Sequence, residues 1–152
     1  MNKSKGFTII ELIVVIAIIA VLAAIVLVNV TGYINKGKDA AAQGNLASLI
    51  TNGATWFAGD TTPVNAKPGT YNGFITGTGT GAAGYVSVYN ALVAAGYTVT
   101  ATCNVAACAD PSTNWCAQVT LKSSTNTYCV DSTGNKLSKA SGTCLVATGT
   151  CL

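Results

Sequence analysis

An uninterrupted apolar segment near the start of the chain is the feature that most limits how this protein can fold. Between Phe7 and Val28 the only polar residues are Thr8 and Glu11. As a helix, the stretch from Phe7 to Val30 would be about 36 Å long, more than the ~30 Å of a bilayer's hydrocarbon core. We therefore expect this segment to span a membrane.

A secretory signal peptide does not explain the apolar segment. Such peptides have an apolar run of only ~7 to 15 residues, followed by a small-x-small pair of residues at the cleavage site. The run here is longer and contains no such pair, and it has no cysteine nearby for lipoprotein processing. The segment is better interpreted as a membrane anchor.

The rest of the chain has a contrasting composition. The protein as a whole is 50% hydrophobic with a mean hydropathy of +0.48, but the residues after Thr51 are rich in threonine, glycine, asparagine and serine. This contrast predicts an apolar rod followed by a polar head.

All six cysteines fall in the last third of the chain, and none forms a C-x-x-C pair. Because the chain has no histidine, a zinc site would need four thiolates at unusual spacings, so disulfides are favoured and the head is expected in an oxidising compartment. Of the 15 pairings that six cysteines allow, we hypothesise the short loops first. These pairs are Cys103–Cys108, Cys144–Cys151 and, by remainder, Cys116–Cys129.

Charge excludes some functions and leaves the orientation open. The eight basic residues are all lysine and are scattered, so nucleic-acid binding has no direct support. Lys3 and Lys5 before the apolar segment are matched by Lys36 and Lys38 after it, so charge counting does not orient the helix. An oxidised head outside the cell places the amino terminus in the cytoplasm.

Catalytic and metal-binding patterns are absent from the sequence. The chain has no histidine or arginine, and its acids are too scattered to form an acid–base pair, so we expect no enzyme activity and no cofactor. Asp131 and Asn135 could contribute to a calcium site. A turn is favoured instead, because calcium takes six to eight oxygens, so no metal site is predicted.

Glu11 needs an explanation, because an ionised side chain at the centre of a membrane helix costs ~2.5 to 3.5 kcal/mol. It either reaches water at the cytoplasmic edge or pairs with a positive group in an assembly of such helices. A cut between Gly6 and Phe7 would create an amine on Phe7, within about one turn of the glutamate.

The residues from Lys5 to Ile13 resemble the processing motif of type IV prepilins and the related pseudopilins. The likeness combines a short basic leader, Gly6 before Phe7, Glu11 as the fifth residue after the cut and an unbroken apolar run. It implies cleavage after Gly6 by a prepilin peptidase, methylation of the Phe7 amine, and a role for Glu11 in subunit registration.

One departure from the family concerns the end of the apolar segment. Many members carry a proline there, whereas this chain has Gly32 and Gly37 a little further on. We hypothesise that residues 31–38 loosen on assembly.

The resemblance also implies a function and its partners. The chain would be a structural subunit of a type IV pilus-like filament, contacting copies of itself, other pilins, the membrane and an inner-membrane assembly platform. It would begin as a single-pass inner or cell membrane protein and end in an extracellular pilus or a periplasmic pseudopilus. The alternatives are a pseudopilin of a type II secretion system and a membrane-tethered extracytoplasmic binding module.

The expected fold is α+β, with a long amino-terminal helix packed on a small antiparallel sheet and a disulfide-stapled head. The predicted divisions are a leader (1–6), a transmembrane and filament-core helix (7–30), an amphipathic helix (31–58) and a globular extracytoplasmic head (59–152). The amphipathic helix should bury the apolar stripe formed by Leu46, Leu49, Ile50, Gly53 and Phe57.

Within the head, a long loop is expected from residue 59 to 84, with a short strand at Tyr71–Ile75. A short helix at Tyr89–Ala95 should end at Gly96. Period-two alternation then predicts three or four antiparallel strands. Three are placed at Tyr97–Cys103, Trp115–Leu121 and Thr127–Val130. In the second strand, the apolar Val119 and Leu121 lie on the face opposite Cys116.

Overall fold

The computed structural model describes residues 6–59, 69–75, 82–105, 108–109, 111–140, 144–145 and 147–152. Within these residues it contains a long helix, a short helix and six strands. The helices are α1 (Ile9–Phe57) and α2 (Ala83–Ala94), and the strands are β1 (Val99–Cys103), β2 (Trp115–Thr120), β3 (Thr127–Asp131), β4 (Lys136–Lys139), β5 (Cys144–Leu145) and β6 (Thr150–Cys151).

The strands form an antiparallel sheet in the order β1-β2-β3-β4, beside a separate two-stranded pair of β5 and β6. The prediction of an α+β fold with three or four antiparallel strands is confirmed. Strand β4 was not placed by the sequence pattern, because all four of its residues are exposed and no apolar alternation marks it.

Only the second half of α1 packs against the head. Its buried positions recur at spacings of three and four, which is the pattern of one helix face. They are Asp39, Ala42, Leu46, Leu49, Gly53 and Trp56. The predicted stripe is confirmed for Leu46, Leu49 and Gly53, but it is wrong at its last position. The stripe ends on Trp56, whose ring lies 6.1 Å from that of Phe74, whereas Phe57 is 38% exposed.

The two faces of the main sheet are covered by different elements. Register places Val99 opposite Val119 and Cys103 opposite Trp115, and this face packs with α1 and α2 in the main core. The opposite face carries Cys116, which clusters with the cysteines of β3, β5 and β6. The prediction that Cys116 and Val119 lie on opposite faces is confirmed.

Two glycines allow the helices to approach this core. A Cβ on Gly53 would lie 2.7 Å from the indole nitrogen of the fully buried Trp115. A Cβ on Gly84 of α2 would lie 2.8 Å from the side chain of Asn52 on α1. Both contacts are shorter than side chains tolerate, so the packing of α1 on the sheet and on α2 depends on glycine at these positions.

A buried carboxylate joins α1 to the far end of the sheet. Asp39 is 3% exposed, and its oxygens accept hydrogen bonds from the Tyr97 hydroxyl at 2.6 Å and from the backbone N–H groups of Lys122 and Ser123 at 2.8 and 2.7 Å. The Lys122 side chain in turn donates to the Ala95 carbonyl after α2. One acid thus ties α1 to the β2–β3 turn and to the start of β1.

The ionisation of Asp39 follows from these contacts. Burial alone would raise its pKa, but hydrogen bonds from Ser123, Tyr97 and the Lys122 backbone outweigh burial and lower the pKa from 3.8 to about 2. Burial and the adjacent carboxylate both raise the pKa of the Tyr97 hydroxyl. At neutral pH the pair is therefore a carboxylate accepting from a neutral phenol.

Two further predictions about the head are corrected. The expected strand at Tyr71–Ile75 is a series of turns in which Gly73 has a φ of 71° and the Phe74 N–H donates to the Tyr71 carbonyl. These turns place Phe74 in the core. Helix α2 begins at Ala83 rather than Tyr89, because Tyr85 and Val88 continue its buried face. Residues 60–68 and 76–81 of the expected loop lie outside the described residues.

The Asp39 contacts predict a large loss of stability on truncation. In Asp39→Ala, a phenol and two backbone N–H groups would be left without their acceptor, so the free energy of unfolding should fall by about 3 kcal/mol. Denaturant unfolding of the full-length chain in detergent measures this. Thr51→Ala, an exposed change on the same helix, should have little effect, and an equal loss in both variants would contradict the assignment.

The lowered pKa of Asp39 also predicts acid sensitivity. A carboxyl whose folded pKa lies below its unfolded value stabilises the fold fully above about pH 4, and this contribution is lost as the pH falls toward 2. The difference in unfolding free energy between wild type and Asp39→Asn should therefore shrink over that interval. A difference that is independent of pH would contradict the pKa.

The glycine contacts predict opposite effects at two positions of α1. Gly53→Ala should destabilise the chain by about 1 to 3 kcal/mol, since the methyl group overpacks against Trp115. Gly44→Ala should stabilise it by up to about 1 kcal/mol, since nothing lies within 4 Å of the added carbon and alanine favours the helix. Thermal unfolding of both variants of the full-length chain checks this; effects of the same sign would contradict the packing.

Candidate functional site: the amino-terminal helix and the disulfide-bonded head

The first half of α1 has no covering within the described part of the chain. The large apolar side chains described between Phe7 and Val30 are between 44% and 82% exposed, and they occur on every side of the helix. The core helix of a soluble protein would be mostly buried. By length and composition α1 is able to cross a membrane, so this half needs lipid or other chains around it.

The segment that precedes α1 is open. Gly6 and Phe7 are exposed, and Thr8 has an extended backbone with φ −84° and ψ 152°. The bond between Gly6 and Phe7 therefore lies outside the helix, where a peptidase is able to reach the backbone. Residues 1–5 of the predicted leader lie outside the described residues.

Thr8 and Glu11 form a capping box at the start of α1. A Glu11 carboxylate oxygen accepts from both the backbone N–H and the hydroxyl of Thr8 at 2.8 Å, and the Thr8 hydroxyl oxygen accepts from the Glu11 N–H at 3.3 Å. Glu11 thus satisfies helix-terminal donors of its own chain. The spacing T-x-x-E is a sequence signal for this role, although Glu11 was interpreted above only as a carboxylate in need of a partner.

Comparison with known families addresses this same segment. A family model described as the prokaryotic N-terminal methylation motif matches residues 1–27. The chain carries the signature of type IV pilins and pseudopilins. The predicted likeness to these proteins is therefore confirmed for the amino-terminal part. No significant match was found among curated proteins or among solved structures.

The pilin motif indicates the general class of protein to which this chain is similar, without distinguishing a pilus subunit from a secretion pseudopilin. It supports a pilin-like or pseudopilin subunit, and subunits of this kind are structural components. With the uncovered apolar helix, it indicates a membrane-anchored precursor. It also implies processing by prepilin peptidase and assembly with other pilins.

The three disulfides of the head differ in part from the predicted pairing. Cys103–Cys108 is confirmed. The other two predicted pairs, Cys144–Cys151 and Cys116–Cys129, are wrong, because the structure joins Cys116 to Cys144 and Cys129 to Cys151.

Sheet register explains why Cys116 and Cys129 do not pair. Cys116 lies opposite Asp131, and Cys129 lies opposite Gln118, so the two cysteines are diagonal neighbours. Such neighbours are ~7 to 8 Å apart, beyond the Cα separation that disulfides usually accept. Each cysteine instead bonds to the β5–β6 pair that covers this face, and the two bonds fasten the end of the chain to the sheet.

Asp131 is the anchor of the turn between β3 and β4. It is fully buried, and its oxygens accept from the N–H and hydroxyl of Thr133, from the N–H and amide of Asn135 and from the N–H of Cys151. Burial opposes its ionisation, but these bonds outweigh burial and hold its pKa below 3.8. Asn135 here donates to the carboxylate, and the described residues contain no cluster of metal-binding side chains.

The disulfide pairing predicts a simple digestion pattern. Trypsin cutting at Lys38, Lys122, Lys136 and Lys139 separates peptides 39–122, 123–136 and 140–152. With the observed bonds, peptide 140–152 is joined to both of the others, so non-reducing mass spectrometry should find one three-peptide species. Release of 140–152 as a free peptide with an internal disulfide would instead support Cys144–Cys151 and contradict the structure.

Proposed function

We propose that this protein is a structural subunit of a type IV pilus-like filament, cut after Gly6 and assembled through α1. The observation that carries the proposal is that the methylation motif continues directly into an apolar helix that the head leaves uncovered. In the precursor, lipid covers this surface. In the filament, the helices of neighbouring subunits cover it.

Cleavage would change the charge at the start of the helix. It removes Lys3 and Lys5, so that the formal net charge falls from +3 to 6 − 5 = +1, and it creates an amine on Phe7. A carboxylate has about four acceptor positions, so Glu11 is able to keep its bonds to Thr8 while pairing with the amine of a neighbouring subunit. Intrachain capping and intersubunit registration are therefore compatible roles.

Three glycines of α1 support close packing between subunits. At Gly32, Gly37 and Gly44 an added Cβ would meet nothing within 4 Å, unlike at Gly53. Each costs about 1 kcal/mol of helix propensity relative to alanine, and no described contact within the chain compensates for it. Close approach of another helix would use all three positions, and loosening of residues 31–38 during assembly would use Gly32 and Gly37.

The head favours a surface pilus over a short secretion pseudopilus. Three disulfides lie within the last 50 residues, and two of them bond the final strands to the sheet. Covalent fastening of this kind suits a fibre exposed outside the cell, where adhesion, motility or DNA uptake would be its task. An extracellular destination is accordingly part of this proposal.

Cells producing defined variants test the proposal. A strain lacking the chain should lose surface fibres in electron micrographs while it still secretes proteins normally. Complementation with wild type or with Lys139→Gln, an exposed charge change on β4, should restore the fibres. Glu11→Gln should not, because glutamine preserves the capping box but removes the charge.

The alternatives give different results in the same strains. Loss of secreted proteins with fibres intact would identify a pseudopilin of a type II secretion system. If fibres and secretion are both normal in the deletion strain, the chain is a membrane-tethered binding module. Full restoration by Glu11→Gln would contradict the charge pairing without contradicting the filament.

A further inference from the structure

The outer end of the apolar segment carries a polar groove on the surface of α1. It has a volume of about 230 Å³ and is lined by Asn29, Gly32, Tyr33 and Lys36. These positions are spaced by three and four residues, so they share one helix face. Gly32 leaves the floor of the groove open, and the Lys36 ammonium lies 5.9 Å from the centre of the Tyr33 ring.

The charge of Lys36 is not neutralised along the described part of its own helix. The nearest carboxylate in sequence is Asp39, which is buried and accepts from Tyr97, Lys122 and Ser123. Lys38 is also exposed, but a residue two positions further along a helix points to a different side, so Lys36 is the ammonium that lines the groove. The groove therefore presents positive charge and hydrogen-bond donors, a combination that suits an anion.

The polar side chains at this level are adapted to an apolar neighbourhood. The Asn29 amide donates to the Ile25 carbonyl and the Thr31 hydroxyl to the Leu27 carbonyl, both at 3.3 Å. Such bonds satisfy polar groups without water, as side chains at the edge of a bilayer require. Asn29 and Thr31 therefore suit a position at the edge of the hydrocarbon.

Spacing along α1 places the groove at the level of lipid headgroups. Glu11 and Thr31 are about 30 Å apart along a helix, which matches the thickness of the hydrocarbon core. With Glu11 at the inner boundary, Lys36 would lie roughly 7 Å beyond the outer one, within the headgroup layer. Tyrosine and lysine beyond an apolar span are the residues typical of membrane interfaces.

We propose that this groove binds the phosphate group of an anionic phospholipid in the outer leaflet. Lys36 donates to the phosphate oxygens, the Tyr33 ring lies among the headgroups, and the acyl chains follow the apolar surface of α1 toward Leu27. The bound lipid fixes the depth of the helix and so keeps the Gly6–Phe7 bond at the cytoplasmic boundary. This inference rests on the membrane-anchored precursor and does not require the filament.

Native mass spectrometry of the full-length chain in neutral detergent tests the groove. With equal amounts of phosphatidylglycerol and phosphatidylcholine, the wild type should retain the anionic lipid in preference. Lys36→Gln should lower this retention about fivefold, and Gly32→Leu, which fills the groove, should lower it too. Lys139→Gln removes the same charge from an exposed position on β4 of the head and should retain lipid like the wild type.

The outcomes that overturn the proposal are distinct. Equal retention by Lys36→Gln and wild type, or an equal loss in Lys139→Gln, would show general charge attraction rather than a site. Displacement of the lipid by excess inorganic phosphate would show a free-anion site. These outcomes concern lipid binding alone. If Lys36→Gln loses the lipid but still forms fibres in cells, the proposed filament is unaffected.

Discussion

The uncovered apolar surface on the first half of α1 is the constraint on which the rest of this structure depends. In water such a surface costs roughly 25 cal/mol for each Å² exposed, so the chain needs an apolar surrounding from the start. A bilayer and a bundle of similar helices both supply one. Because lipid tails are about as apolar as leucine, exchanging one surrounding for the other has little hydrophobic cost. Whether α1 prefers the bilayer or the helix bundle then depends on packing between helices and on the charges at its amino terminus.

The second half of α1 meets the opposite requirement, since it must bury one face and stay fixed to the head. Asp39 is the first buried position of that face, and its carboxylate bonds to the phenol of Tyr97 and to the β2–β3 turn. Asp131 performs a similar task at the β3–β4 turn. Both of the aspartates that the structure describes are thus internal acceptors, whereas the described lysines of the head remain at the surface.

Patterns that are local in sequence predicted the larger elements. The apolar run and the three-and-four spacing predict α1, and period-two alternation predicts β1 to β3. The strands β5 and β6 have two residues each, which is too short for any period to be seen. The last position of the helix stripe was ambiguous, because both Trp56 and Phe57 continue it and only packing against Phe74 selects the tryptophan.

Contacts that are distant in sequence could not be predicted in the same way. The partners of Asp39 lie 58 to 84 residues away, and nothing near the aspartate marks them. The disulfide partners of Cys116 and Cys129 depend on sheet register. The register places each of these cysteines two positions away from the residue opposite the other, so they cannot bond to each other. At the amino terminus the candidate functional residues are close together in the sequence and could be predicted. Gly6, Phe7 and Glu11 lie within one short motif, and the Thr8–Glu11 cap was readable from its spacing.

The central claim is that the chain is processed between Gly6 and Phe7 before its helix assembles. The most direct measurement is the mass of the amino-terminal peptide of the protein isolated from the cells that make it. The expected result is a chain that begins at Phe7 and carries one methyl group on its amine. A mature protein that still begins at Met1 would contradict the claim, and α1 would then be only a tether.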